Sequence, residues 1–139
     1  MSGELVDTNV LVYAHDRTAG RKREAAQALL ARLWHESTGC LSIQVLQEFA
    51  VNVTRKIPNP LSLAQAREVI DLLSEWQIHS PGPTDVVAAL RRQEEDRISF
   101  WDAMIVQSAH RLGCRILWSE DLNSGQSIAG VEIRNPFAG

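Results

Sequence analysis

Two kinds of segment alternate along this chain. Short segments built around Leu5-Val6, Cys40-Leu41-Ser42, Gln77-Ile78-His79-Ser80, Cys114 to Trp118 and Val131 to Arg134 each carry one to three of the large aliphatic residues Leu, Ile and Val or an aromatic one. Between them lie longer stretches in which apolar residues return every three or four positions. The short runs read as buried strands and the longer stretches as amphipathic helices, since strand side chains repeat every second residue and helical ones about every 3.6.

Local signals set the boundaries. The first strand ends near Asp7, with Thr8 or Asn9 capping a helical turn over Val10 to Ala14. Arg21 to Glu36 is a helix with Ala25, Ala28, Leu29 and Leu33 on one stripe. A helix from about Ile43 to Lys56 is closed by Pro58-Asn59-Pro60, which cannot continue it. Ser62 and Gln65 have capping-box spacing and open a helix whose apolar face is Leu63, Ala66, Val69, Ile70 and Leu73. Pro81-Gly82-Pro83 stops the third strand, and Thr84 caps a helix running to Asp96. Ser99 to Leu112 is the last helix, ended by Gly113, and Ser119 to Gly130 is a loop. The alternation predicts an α/β fold in which a central parallel sheet carries helices on both faces. Ligands in such folds sit beyond the carboxyl ends of the strands.

Composition narrows the classes. With 139 residues, 45% of them hydrophobic and 22% charged, the chain is expected to form a single domain over 1–139 with a sizeable core. Collagen-like and disordered chains are excluded, because there is apolar surface enough to offset the entropy of ordering. A spanning helix needs about 20 mostly apolar residues; the longest stretch without a charge here is 11, from Ser37 to Gln47. The first residues lack the basic start and apolar core of a secretory signal. Cys40 and Cys114 have no metal-type spacing, so a reduced, cytoplasmic protein is expected. Seventeen acids against 14 bases give a net charge of −3. That argues against a passive nucleic-acid coat but leaves room for an enzyme whose carboxylates are neutralised by bound cations.

Four acids stand out, each with a plain structural reading beside a chemical one. Asp7 falls where the first strand ends; it either caps the next turn or points into the crevice. Asp102 shares a helix face with Ile105, Val106 and Ala109, opposite Met104, Gln107 and Arg111. A carboxylate in an apolar stripe needs a partner: either a cap shared with Ser99 or a metal site at the helix start. Glu48 is a weaker signal: it belongs to a polar stripe with Gln44, Asn52 and Arg55, opposite Leu46, Ala50, Val53 and Ile57, which reads first as a solvated face. Asp121 follows a buried strand, where turn acids are common. Together the set suggests oxygen ligands for a hard divalent cation, Mg2+ above all.

The order and context of these acids resemble the PIN-domain nucleases. The matching segments are Leu5 to Leu11, Ser42 to Phe49, Ser99 to Ile105 and Ser119 to Gln126, in order across nearly the whole chain. Within that family the resemblance is to VapC-type toxins of toxin–antitoxin pairs. It implies a three-layer α/β/α sandwich with about five short parallel strands, a homodimer, and Mg2+-dependent endoribonuclease activity, with Mn2+ as substitute. It further implies a small cognate antitoxin, through which alone DNA is engaged. By motif, Asp7, Glu48, Asp102 and Asp121 are the acidic quartet, with Asp7 and Asp102 as metal ligands. The resemblance leaves Asp121 either to bind a second cation or to act through water, and Glu48 either to bind metal or to orient water. Thr8, Asn9, Ser119 and Asn123 are implied as hydrogen-bonding supports for those carboxylates.

Other features carry less. His15, His35, His79 and His110 lack zinc spacing. Trp34, Trp76, Trp101 and Trp118 are expected to pack rather than to serve as base-stacking platforms, and Arg21-Lys22-Arg23 and Arg91-Arg92 to form solvated faces rather than phosphate contacts. No Gly-rich phosphate loop and no Gly-x-Ser-x-Gly elbow occurs. The competing function is a catalytically silent PIN fold that binds RNA or acts as a scaffold, which loss of an acid would mark; none is lost. A receiver-type domain wants paired acids after its first strand, and Asp7 is followed by Thr8-Asn9.

Overall fold

The computed structural model describes residues 2–138. In chain order its elements are β1 (Glu4–Val6), α1 (Thr8–Ala14), α2 (Arg21–Glu36), β2 (Gly39–Ser42), α3 (Ile43–Arg55), α4 (Leu63–Leu73) and β3 (Gln77–His79). There follow α5 (Pro83–Asp96), α6 (Phe100–Arg111), β4 (Ile116–Trp118), β5 (Ser127–Ile128) and β6 (Val131–Arg134). The sheet order is β3-β2-β1-β4-β6-β5. Neighbouring strands are parallel except β5 and β6, so five strands form the expected parallel sheet and the sixth is an antiparallel edge. With helices on both faces, this is the three-layer α/β/α sandwich.

Connectivity decides where chemistry can occur. The chain steps outward from β1 to β2 to β3, then returns to lay β4 on the other side of β1. Strand order therefore reverses between β1 and β4, whose carboxyl ends open a crevice. Around them α1 packs on α2 and α3, and α3 on α4, while α5 packs on α6. Leu5, Leu33, Leu41, Phe49, Val106 and Ile133 are fully buried in the main core. Burying a side chain of this size contributes about 1.5–3 kcal/mol.

Several sequence expectations shift by a residue or a face. Gly82, not Thr84, is the N-cap of α5: Pro83 takes the first helical position, where its fixed φ fits and its missing N–H costs nothing. The α2 stripe is rotated, with Ala26, Leu29 and Leu33 buried and Ala28 exposed. On α4, Leu63 is exposed and burial is confined to Ala66 and Leu73, with Val69 and Ile70 partly covered. The α6 face carrying Met104 and Gln107 is buried as well, because α5 covers it. Within the expected loop, Ala129 and Gly130 both have positive φ and fold Ser127-Ile128 back onto β6 as a two-residue hairpin turn. Two residues are too few to leave a periodic signal. At Gly39 a Cβ would lie about 2.5 Å from the Trp76 ring, so only glycine lets that indole lie against β2.

Beneath the sheet, Glu4 is buried with its charge fully engaged. Its Oε1 accepts from Arg32 Nη2 at 2.9 Å and Trp118 Nε1 at 2.8 Å, and its Oε2 from Arg115 Nη2 at 3.4 Å. Burial acts to raise this carboxyl, but the bonds from Arg32 and Trp118 and the charges of Arg32 and Arg115 outweigh it and hold it below its ordinary range. The unfolded chain therefore binds the proton first as pH falls, and stability present above the ordinary value of 4.5 is lost as pH drops through the lower folded value. In urea titrations between about pH 5 and about pH 3, the midpoint of the wild type should fall more steeply than that of Glu4→Gln. Parallel slopes would mean that Glu4 contributes no acid sensitivity.

Candidate active site

Asp7 sits one residue beyond β1, at the point where strand order reverses. Its N–H donates to Trp118 O at 2.9 Å, tying it to the end of β4. It caps α1 itself: Oδ1 accepts the Thr8 N–H at 2.7 Å, while Oδ2 accepts the Ser119 hydroxyl at 2.7 Å. The two readings of Asp7 thus hold together, because the cap uses one oxygen and the crevice receives the carboxylate. At 3% exposure it is held in place wholly by neutral donors.

Three other segments converge on the same cavity of about 350 Å3, lined by Asp7, Glu48, Asp102 and Asp121 among others. From α3, Glu48 Oε1 accepts the Thr8 hydroxyl at 2.7 Å. Asp102 lies in the first turn of α6, where its N–H donates to the Ser99 hydroxyl at 3.1 Å; its carboxylate lines the cavity. Asp121, after β4, accepts from Asn9 Nδ2 at 3.0 Å, and its N–H donates to Ser119 Oγ at 3.1 Å. Ser119 thereby links Asp7 and Asp121 from below, and Asn9 adds a second link through the Glu120 N–H at 3.4 Å.

The electrostatics are those of crowded acids without a counter-charge. Burial pushes the Asp7 carboxyl up to about 7; the Ser119 and Thr8 hydrogen bonds oppose this, and the charges of Asp121 and Asp102 add to it. Asp102 is also raised, by burial first, against the Ser99 bond and with the charges of Asp121 and Glu48. No lysine or arginine lines the cavity. Among the described residues, no three carboxylate, imidazole or thiolate groups close into a ready-made cage. A hard cation such as Mg2+ does not need one: it takes one or two carboxylates and completes its shell with water or phosphate oxygens. An open cavity with Asp7 buried, Glu48 and Asp102 half-buried and Asp121 exposed at its rim fits that requirement.

The structure brings together most of the residues singled out from sequence. Asp7, Thr8, Asn9, Glu48, Asp102 and Asp121 line one cavity, and Ser119 lies buried beneath it. Asn123 does not join them; it is exposed, and its carbonyl accepts the Gln126 N–H at 3.3 Å. The α3 stripe of Gln44, Glu48 and Asn52 is a cavity wall rather than a solvated face. Gln44 is buried, and its Nε2 donates to Trp101 O at 3.3 Å. Sequence reasoning missed Tyr13, Gln44, Asn52 and Trp101. The one signal for them was helical spacing: Asn9 and Tyr13 on α1, and Gln44 and Asn52 flanking Glu48, repeat at four residues.

A raised carboxyl has the opposite linkage to that of Glu4. Between the ordinary value of 3.8 and about 7, folded Asp7 keeps a proton that the unfolded chain releases, so its contribution to stability falls as pH rises through that window. In the presence of chelator, Asp7→Asn should therefore melt above the wild type at about pH 8, with the gap closing towards about pH 4. Equal melting temperatures across that range would contradict the strain assigned to this carboxylate.

Comparison with known proteins places this arrangement. A family model described as the PIN domain matches residues 5–125. No curated protein sequence matches the chain at a significant level. Among solved structures, the chain is similar to a toxin–antitoxin complex from Klebsiella pneumoniae, at 19% identity and TM-score 0.71, over 97% of this chain and 98% of that one. It is also similar to VapC20 of Mycobacterium tuberculosis, described as a sarcin–ricin loop cleaving toxin, at 21% identity and TM-score 0.64, over 86% and 90%. A DNA-bound VapBC from Salmonella typhimurium gives 19% identity and TM-score 0.66 over 98% and 99%. At such identities it is the fold that is shared. The family match spans the four acid-bearing segments up to Gly125, and the chain belongs to the PIN-domain family.

Proposed function

We propose that this protein is a Mg2+-dependent endoribonuclease, acting as a single PIN domain over residues 1–139 and serving as the toxin of a type II toxin–antitoxin pair. The observation that carries the reading is the convergence of Asp7, Glu48, Asp102 and Asp121, from four separate segments, on one cavity without a lysine or arginine. The toxin role draws support from the fold shared with toxin structures, one of them described as cleaving the sarcin–ricin loop.

In this reading Asp7 and Asp102 hold the cation, with Mn2+ able to replace Mg2+, and Asp121 contributes directly or through water. The bound cation supplies Lewis-acid stabilisation of phosphodiester oxygens and lowers the pKa of water. The protein's own groups do the rest. Ser119 and the Thr8 N–H fix both oxygens of Asp7. The Thr8 hydroxyl fixes Glu48 Oε1, which sets that carboxylate to orient the attacking water and take its proton. Asn9 steadies Asp121. One P–O bond forms to the water oxygen and one breaks to a ribose oxygen, which takes up a proton.

An antitoxin fits the same electrostatics. A cavity of unpaired carboxylates invites a basic side chain, so the antitoxin is expected to cover the site and insert one; DNA is then met only through the antitoxin. Pairing of two copies is part of the reading. So is a reduced, cytoplasmic setting.

The test incubates the antitoxin-free protein with total cellular RNA, with Mg2+ or with excess chelator. Discrete cleavage should require the metal. Asp7→Asn and Asp102→Asn should lower it by more than about 100-fold, and Thr8→Val or Ser119→Ala by about 10–100-fold, the range typical of groups that orient a ligand. Cleavage that survives chelator or both Asn substitutions would overturn the assignment, and a folded protein with neither cleavage nor growth arrest on expression would leave the silent scaffold.

A further inference from the structure

Trp101 is the least covered of the large aromatic side chains. It is 61% exposed, yet it lines the cavity of the four acids and directly precedes Asp102. The other exposed indole, Trp34, lies against Trp76 with ring centroids 6.0 Å apart and lines no part of this cavity. Leaving an indole in water forgoes burial that most tryptophans obtain. Its backbone is nonetheless well fixed: the Trp101 carbonyl accepts from the buried Gln44, and Ser99 caps the turn on which it stands. Phe100 meets it at 5.1 Å and 76°, edge to face, and is itself packed against Ala89, Ala103 and Met104. The ring is thus propped on one side by an anchored neighbour and open on the other.

We propose that Trp101 is a stacking platform for an unpaired nucleobase adjacent to the scissile phosphodiester. The inference rests on the nuclease reading above. A base carried on the nucleotide whose phosphate meets the acids is a planar partner of matching size and polarisability. Base–aromatic stacking tolerates any base, since each has a π-face, and a side chain held in advance loses little freedom on binding. In a duplex both faces of a base are covered by its neighbours, so an indole can stack only on a base that is unpaired or splayed out. Trp101 is therefore a binding residue that selects strand state; bond cleavage is left to the carboxylates.

The test compares wild type, Trp101→Ala and Trp101→Phe on a fluorescein-labelled oligouridylate of about 12 nucleotides and on the same strand annealed to oligoadenylate. Affinity is read by fluorescence anisotropy with Ca2+, which suits oxygen ligands, and cleavage with Mg2+. The wild type should prefer the single strand. Trp101→Ala should weaken single-strand affinity by about five-fold to a hundred-fold and raise KM more than it lowers kcat, while duplex affinity stays unchanged. Trp101→Phe should keep most of the preference. Equal single-strand affinity in wild type and Trp101→Ala overturns the proposal even where RNA is cleaved. So does a Trp101→Ala protein that loses self-association but keeps its RNA affinity, since the indole then serves a protein contact. Oligouridylate that the wild type does not bind overturns the base-tolerant stacking proposed here, whereas the nuclease reading falls only when total cellular RNA is uncleaved and expression causes no growth arrest.

Discussion

Everything around the cavity depends on keeping one carboxylate, that of Asp7, in a place where water does not reach it and no cation balances it. Such a group is expensive to bury. It is tolerated because neutral donors, the Thr8 N–H and the Ser119 hydroxyl, meet both oxygens, and because its raised proton affinity lets it shed charge when the site holds no cation. Neutral donors fix the group without cancelling its charge. A guanidinium in the same place would satisfy it permanently and remove any affinity for a metal.

Asp85 shows what that alternative looks like in the same molecule. It is as deeply buried as Asp7, but accepts from the Gly82 N–H and from Gln107 Nε2, with Arg111 at 3.4 Å and His79 at 3.5 Å. Burial alone would raise its carboxyl; the Gln107 and Gly82 bonds and the charges of His79 and Arg111 reverse the sign and hold it low. Asp85 is therefore spent on joining α5 to α6 and β3. Two aspartates of equal exposure thus have opposite proton affinities: at Asp7 burial prevails and the charges of Asp121 and Asp102 add to it, whereas at Asp85 the Gln107 and Gly82 bonds, then the charges of His79 and Arg111, outweigh burial.

The topology gives Asp7 its companions. Because strand order reverses between β1 and β4, the segments that leave those paired strands diverge, and Asp7 and Ser119 lie side by side, hydrogen-bonded, where they do. The first turn of α6 supplies Asp102, and the middle of α3 supplies Glu48. Gln44 and the Trp101 carbonyl join those two helices at the cavity wall, which ties the place of Asp102 to that of Glu48, while Asn9 and Ser119 hold Asp121 from its loop.

The sequence by itself determined the parallel α/β class and the strands and helices to within a residue or two, because these rest on local signals of apolar period and caps. Asp7, Asp121 and Asp102 stood out at strand ends and in an apolar stripe, and Glu48 only through the resemblance to the PIN-domain family. Where local signals were short or ambiguous, only the tertiary structure decided. The Ser127-Ile128 strand exists because a turn folds it onto β6, and α2 is rotated because burial follows the packed neighbour rather than the densest stripe. The polar residues Gln44, Glu48 and Asn52 look like a solvated face in one dimension; they become a cavity wall only when α6 is laid opposite. Asn123, next to the right motif, is carried out to solvent by the turn that follows. Trp101 reads as a core residue by composition, yet lies open because α6 begins at the rim of the site. A sequence records what each side chain can do, and the fold determines which of them share a volume small enough for their charges to be felt.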